Sequence, residues 1–317
     1  MLFGMWRHLD VIPGPAVKSK SSSLESGYWV FLVPGLVMFL VVIILPFLAT
    51  IAVSFTKWNG VQAPKWIGIN NYVNLVSDPY FVASFQNTLV LLLAMVVLPT
   101  ILGLLLAALL YSFVGQRFGP RTASFFRAGF YLPQVMPVAV AGVVWGWILT
   151  PDGALNSLLQ AVGLGVLAQN WLGNPDIALF SVMGMMVWFQ VGFPLVIFFT
   201  ALQRMDQSII EAAALDGASA WQTFIHVTVH QIRPEIFVVV LMTTIATFKV
   251  FAQVFVLTRG GPGTATYVPS YYTYLNFFQK SQVGLGSAVA TIVTVVVLAV
   301  AVVFINLQAR RDLAEDS

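Results

Sequence analysis

Six long apolar runs dominate this sequence and constrain its fold more than any other feature. They cover residues 29–54, 88–113, 125–149, 177–202, 236–258 and 284–306. An α-helix needs about 20 largely apolar residues to cross a bilayer, and each run is long enough. The composition agrees, because 9% of the 317 residues are charged, whereas soluble domains carry about 25%. The sequence therefore predicts an all-α integral membrane protein with six transmembrane helices.

The runs also predict the domain organisation. We expect a tail over residues 1–28, one transmembrane domain over 29–306 and a second tail over 307–317, with no internal repeat and no second domain. A cleaved signal peptide is the alternative for the N-terminal region. The first run is too long for the apolar part of such a peptide, and no small-residue cleavage site follows it. The connections 55–87 and 150–176 are long enough to form short surface helices.

The positive charges predict how the chain lies in the membrane. Ten fall on one side, in both tails and in the connections 114–128 and 203–235: Arg7, Lys18, Lys20, Arg117, Arg121, Arg127, Arg204, Arg233, Arg310 and Arg311. Four fall on the other side: Lys57, Lys65, Arg259 and Lys280. Lys249 lies within the fifth run. Since Lys and Arg concentrate in cytoplasmic loops, we predict that both termini and the 203–235 loop are cytoplasmic.

The 203–235 loop contains a pattern typical of two short capped helices. Ser208 and Glu211 have the spacing of a capping box, and so do Ser219 and Gln222. Gly217 lies between them, where a left-handed residue ends a helix. The loop is either a surface hairpin that links two spans or a docking surface. The alanines at 212–214 favour docking, because a solvated helix normally carries more charge.

The sequence EAAALDGASAWQTFIHVTVHQIRP at 211–234 resembles the EAA signature of permease subunits of binding-protein-dependent ABC importers. The shared residues are Glu211, Ala212, Ala213, Asp216, Gly217, Ala218, Phe224 and Pro234, while His230 stands where the family often has Pro. Further likeness to the sugar-type permeases lies at FVLTRGGP (255–262), at the tyrosines and Phe of 271–277, at GLGSA (284–288) and at INNY (69–72). These elements are similar to the permease type that pairs with a second, non-identical permease.

The resemblance implies a type I importer permease in a bacterial or archaeal cytoplasmic membrane. Its partners would be a second permease, an ABC ATPase dimer and an extracytoplasmic solute-binding protein, with no nucleic acid. The loop residues Glu211, Ala212, Ala213, Asp216, Gly217 and Ala218 would couple to the ATPase, and Gly260, Gly261 and Pro262 would face the binding protein. ATP and Mg²⁺ would be bound by the ATPase subunits, so this chain would need no cofactor.

Several kinds of catalytic chemistry are absent from the sequence. It has no phosphate-binding loop of the G-x-x-x-x-G-K-[ST] type, no H-E-x-x-H motif and no cysteine. His226 and His230 have metal-ligand spacing on a helix, but no third ligand is evident, so we predict no metal site. We therefore predict that the chain is not an enzyme.

Polar residues inside spans are costly and suggest where a solute passes. Lys249 and Gln253 lie four residues apart in the fifth run, which predicts one shared helix face, and Thr247 is close by. Trp188 and Gln190 precede a Gly-x-Pro break in the fourth run. Each has a structural alternative: lipid-interface anchoring for Trp, pairing to a carbonyl for Lys, and helix–helix hydrogen bonds for Gln.

The predicted solute is a sugar, whose hydroxyls Gln and Thr would hydrogen-bond. Lys249 and Arg259 leave a phosphorylated polyol such as glycerol 3-phosphate open. A self-sufficient secondary transporter is less favoured, because such proteins usually need ion-coupling carboxylates in their spans, and none of the twelve Asp and Glu lies in a span interior. An intramembrane enzyme is less favoured, because this chain lacks a Cys nucleophile. An export permease of the same superfamily is less favoured, because the EAA signature indicates import.

Overall fold

The computed structural model describes residues 31–315, so the predicted tail over 1–28 lies outside the described residues. The regular secondary structure of these residues is helical apart from one short ladder. The helices are α1 (Phe31–Ser54), α2 (Asn70–Val76), α3 (Pro79–Phe118), α4 (Pro120–Val135), α5 (Val138–Ile148), α6 (Ala154–Ala161), α7 (Pro175–Gln190), α8 (Gly192–Arg204), α9 (Gln207–Leu215), α10 (Ala220–Gln231), α11 (Arg233–Phe248), α12 (Ala252–Leu257), α13 (Pro269–Tyr274) and α14 (Val283–Glu315). The strands are β1 (Thr56–Lys57) and β2 (Lys65–Trp66).

The helices account for the six predicted spans. Four are long and apolar enough to cross a membrane: α1, α3, the nearly continuous pair α7 and α8, and α14. Two bent pairs complete the six, if each is one span: α4 with α5 at 94°, and α10 with α11 at 70°. The all-α membrane fold is therefore confirmed. The last helix continues to Glu315, through most of the predicted C-terminal tail.

The described residues fall into two units, 31–49 and 50–315. In the first unit, the described residues 31–49 form most of α1, and none of them is buried. An apolar helix with this exposure is compatible with lipid tails around it.

Three clusters of buried side chains form the core of the second unit, and the two larger ones lie among the long helices. One includes Leu91 of α3, Val182 and Met185 of α7, and Val254 of α12. The other is centred on α8, where Phe198 is fully buried beside residues of α3, α4 and α11. Inside a bilayer such helices associate through close packing, because the lipid tails are as apolar as the side chains.

One very close contact joins α3 to α8 at Gly103. A Cβ atom at this position would lie 2.6 Å from Cβ of Pro194 and 2.9 Å from the backbone nitrogen of Leu195. The two helices therefore meet backbone to backbone, which only glycine permits here. Small residues at helix interfaces have this role in membrane proteins generally.

The two long connections are folded, as predicted, and one buried asparagine holds each of them. In the 55–87 connection, Asn71 of α2 donates to the carbonyls of Ser54 and Thr56 at 2.8 and 2.9 Å. In the 150–176 connection, Asn156 of α6 donates to the carbonyls of Pro151 and Gln169 at 2.9 and 2.8 Å. These bonds satisfy carbonyls at the end of α1, in β1 and in the 150–176 connection, and they fix the paths of both connections.

Candidate functional site

The 203–235 loop begins with a cap that the sequence pattern did not identify. The side chain of Asp206 accepts a hydrogen bond of 2.9 Å from the backbone N–H of Ser208 and caps α9. Bonds from Ser208 hold the pKa of Asp206 below its ordinary value. The prediction that Ser208 is the cap, with Glu211 as its partner, is therefore wrong. Ser208 lies inside the helix because a carboxylate two residues earlier takes its N–H.

Gly217 ends α9 in the predicted way. Its φ is +81°, a left-handed value that suits glycine. The N–H of Gly217 donates to Ala214 at 3.1 Å, and the N–H of Ala218 donates to Ala213 at 3.0 Å. These two bonds are those of a Schellman motif. A Cβ at 217 would meet no atom within 4 Å, so backbone conformation alone requires glycine here.

The second capping box is present in full. The Ser219 side chain accepts from the Gln222 N–H at 3.3 Å, and the Gln222 side chain accepts from the Ser219 N–H at 2.8 Å. The α10 helix follows and winds more loosely, with π-helical bonding, over Thr223–Thr228. The loop thus has the predicted order of helix, turn and helix.

The loop exposes both acidic and apolar side chains. Glu211, Asp216 and Gly217 are exposed, whereas Ala213 and Ala218 are half-buried. Leu215 is 89% exposed and Trp221 is 64% exposed, with the Trp221 ring stacked on Phe224. Exposed large apolar side chains beside carboxylates are typical of a surface that another protein covers.

A groove of about 360 Å³ lies behind this surface. Its walls come from α3, the end of α8 and both helices of the loop, and they include Ala108, Tyr111, Met205, Ala214 and Phe224. Gln207 of α9 donates to the hydroxyl of Tyr111, a residue of the groove wall, at 2.6 Å. The loop therefore rests on α3 at this contact.

The predicted solute-path residues of the fifth run do not share one helix face. The α11 helix ends at Phe248, and Lys249 is its C-terminal cap. Phe251 has a non-helical backbone, and Gln253 belongs to the separate helix α12. The prediction from four-residue spacing is wrong because this break interrupts the helix between the two residues. Lys249 is exposed and Gln253 is half-buried.

The other predicted path residues lie in different surroundings. Thr247 is buried, and its hydroxyl donates to the Thr243 carbonyl at 2.8 Å. Trp188 of α7 lies 5.6 Å from Trp145 of α5, measured between ring centroids. Gln190 is half-buried at the end of α7.

Aromatic rings surround the break between α11 and α12. Phe251 stacks on Phe255 at 5.3 Å, and the Tyr274 ring lies 5.4 Å from Phe251 and 5.2 Å from Phe255. Tyr271 continues the group on the α13 side. Aromatic faces next to polar side chains are a common lining of small-molecule sites.

The loop over residues 258–268, which holds the predicted binding-protein contacts, is tightly built. Gly260 is buried against the rings of Tyr267 and Tyr271, where no side chain fits. Gly261 and Pro262 are half-buried, while Arg259 is exposed. Next to this loop, the Tyr272 hydroxyl donates to Asp78 at 2.6 Å. Burial and this hydrogen bond raise the pKa of Tyr272, so it remains a donor.

Sequence reasoning missed three residues that position these loops: Asp206, Tyr111 and Asn87. Asn87 of α3 donates to the carbonyls of Thr264 and Tyr267 at 2.9 and 3.0 Å. The only signal for Tyr111 and Asn87 was a polar group near each end of an apolar run. No group of three His, Cys, Asp or Glu that would suit a metal occurs within 31–315.

Comparison with known proteins identifies the family. Residues 100–312, more than half of the chain, match the family described as "Binding-protein-dependent transport system inner membrane component". The chain is 36% identical over 272 residues to the probable ABC transporter permease protein YurN of Bacillus subtilis, covering 86% of this chain and 92% of that protein. It is 31% identical to the multiple sugar-binding transport system permease protein MsmF of Streptococcus mutans, covering 77% and 81%.

A solved structure has the same fold. It is a bacterial alginate ABC transporter in complex with an alginate pentasaccharide-bound periplasmic protein. The TM-score is 0.78 at 21% identity, covering 90% of this chain and 95% of that chain. The chain therefore belongs to the family of inner membrane components of binding-protein-dependent ABC transport systems.

Proposed function

We propose that this chain is a permease subunit of an ABC importer for sugars, and that the 203–235 loop is its joint with the ATPase. One observation carries the proposal: two capped helices meet at the left-handed Gly217 and present exposed Leu215 and Trp221 beside Glu211. A solvated linker has no need for this surface. ATP and Mg²⁺ belong to the partner ATPases, whose closure moves the loop and, through it, the spans.

The sugar assignment is supported by the name of the Streptococcus relative and by the aromatic rings around the α11–α12 break. A second permease would complete the path, and a solute-binding protein would deliver the sugar from outside. The alginate transporter was itself captured with a periplasmic protein. In this arrangement the 203–235 loop and both termini face the cytoplasm, and the 258–268 loop faces the binding protein.

Reversing the charge of Glu211 tests the joint. We expect Glu211→Lys to reduce ATP-driven uptake by at least about tenfold, a loss that needs only about 1.4 kcal/mol at the docking contact. Folding should be unchanged, because Glu211 is exposed and surface substitutions usually change stability by less than about 0.5 kcal/mol. The measurement is uptake by the assembled transporter in liposomes that contain ATP.

The matched control for Glu211→Lys is Asp152→Lys. It makes the same change in charge at an exposed residue of the 150–176 connection, which lies outside the joint. We expect normal uptake from the control. Equal uptake by Glu211→Lys and the wild type, with the ATPase bound equally, would refute the assignment of the joint.

The solute path is tested by Lys249→Ala and Gln253→Ala. Each should lower uptake about five- to tenfold, the effect of losing one net hydrogen bond to the solute. The complex should still assemble, since neither residue is buried. Thr294→Val is the control, because it removes a hydroxyl from α14 that donates to its own helix at Ala290. Wild-type uptake in both alanine variants would exclude these residues from the path.

A further inference from the structure

One end of α3 is fixed to the 258–268 loop by a side chain. Asn87 donates to two carbonyls of that loop, those of Thr264 and Tyr267, at 2.9 and 3.0 Å. Both carbonyls lie about 180 residues further along the chain, so this is a tertiary contact and not part of a local turn. An amide that donates to two carbonyls fixes their positions relative to its own helix.

The loop itself is cross-linked by hydrogen bonds. Thr266 is fully buried, and its hydroxyl donates to the Gly261 carbonyl at 2.8 Å. The hydroxyls of Thr258 and Thr266 are 2.6 Å apart. Because these bonds join the start of the loop to its end, a displacement of the loop is transmitted as a whole to Asn87.

The α3 helix extends from this loop to the 203–235 loop. It has 40 residues from Pro79 to Phe118, which corresponds to about 60 Å at 1.5 Å per residue. Near its middle, Gly103 brings it into backbone contact with α8, the helix that leads into the 203–235 loop. Packing this close resists sliding of one helix along the other.

The other end of α3 contacts the loop itself. Gln207, the first residue of α9, donates to the Tyr111 hydroxyl at 2.6 Å. Tyr111 lies in the stretch Leu109–Val114, where α3 has π-helical bonding. Such stretches are often found at functional sites in helices. A movement of α9 therefore reaches α3 at Tyr111.

We propose that α3 transmits conformational change between the 203–235 loop and the 258–268 loop, with Tyr111 and Asn87 as the positioning residues at its two ends. This inference rests on the proposed function, because it needs an ATPase at the first loop. Coupling between two sites is reciprocal, so the far loop must respond when the ATPase is closed. The response is therefore measurable without knowing the transported sugar.

The experiment uses the chain's lack of cysteine. Ala265→Cys places one thiol in the 258–268 loop, and its rate of maleimide labelling is measured in the assembled transporter. Labelling is compared with and without trapping of the ATPase by ATP and vanadate. The subunits are then separated by gel electrophoresis, and labelling is measured on the band of this chain alone. We expect trapping to change the rate by about fivefold or more, the lower end of typical coupling between sites.

Asn87→Ala and Tyr111→Phe, each made with Ala265→Cys, should reduce this change to less than about twofold while trapping proceeds normally. Tyr111→Phe removes one oxygen atom and keeps the ring contact with Phe199, so it tests the inference even if Asn87→Ala fails to fold. The control is Asn156→Ala, which removes two bonds to carbonyls in another connection, together with the two bonds that Asn156 accepts from the Gln169 N–H and the Trp171 indole. We expect this control to keep the full change.

The outcomes separate this inference from the proposed function. Failure of the ATPase to bind or to trap would contradict the proposed function. Normal trapping with no change in labelling of Ala265→Cys, or with the full change retained in Tyr111→Phe, would overturn the role of α3 alone.

Discussion

Gly217→Pro is expected to abolish uptake while leaving the chain in the membrane. Proline holds φ near −65°, whereas Gly217 has a φ of +81° and donates its N–H to Ala214. Proline also favours an extended residue before it, whereas Asp216 has a φ of −74° and a ψ of 1°. The turn between α9 and α10 must therefore open, at a cost of about 3 kcal/mol or more. Sugar uptake and co-purification of the ATPase are the two measurements.

Gly163→Pro is a closely matched control for this prediction. Gly163 also has a φ of +81°, has no atom within 4 Å of a Cβ, and ends the short helix α6. Its N–H donates to Gln160, and the next N–H donates to Leu159, in the same bonding pattern as at Gly217. We expect uptake to survive in this variant. Equal loss in both would mean that turn stability, and not the location of the turn, decides the result.

Gly103→Val is expected to reduce strongly the amount of chain that assembles stably in the membrane. The new Cβ would lie 2.6 Å from Pro194 Cβ and 2.9 Å from the Leu195 nitrogen, so α3 and α8 would have to separate. Overpacking of this kind typically costs about 1–3 kcal/mol and occasionally more. We expect a several-fold fall in the amount of chain in membranes, measured by quantitative immunoblotting at equal transcript level.

Gly184→Val controls for the residue change itself. Gly184 lies in α7, is exposed, and has no atom within 4 Å of a Cβ. The helical environment and the added side chain are the same, but no neighbouring backbone is displaced. Normal abundance of Gly184→Val beside reduced abundance of Gly103→Val is the expected pair of results. Normal abundance of both would show that the contact between α3 and α8 is not essential.

The features that depend only on neighbouring residues, namely the helices, the second cap and the turn at Gly217, were predicted from the sequence. The apolar runs predicted the helices because a bilayer requires long apolar segments. Ser219 with Gln222, and the glycine at 217, were predicted because a cap and a left-handed turn involve only neighbouring residues. The first cap was misassigned to Ser208, since Ser208 and Asp206 are both good capping residues and spacing alone does not rank them.

Contacts between distant segments were not predictable in this way. The break after Phe248 has no glycine or proline to mark it, so the spacing of Lys249 and Gln253 indicated a helix that is not continuous there. The bonds of Asn87 to residues 264 and 267, and of Tyr111 to Gln207, depend on how the helices pack. Only a three-dimensional structure brings these residues together.

The most direct test of the account is to purify the tagged chain from its native membranes in mild detergent and to identify the proteins that come with it. We expect a second, non-identical permease and an ABC ATPase, with ATP hydrolysis that a sugar-loaded binding protein stimulates. A chain that purifies alone and transports sugar in liposomes without ATP would contradict it.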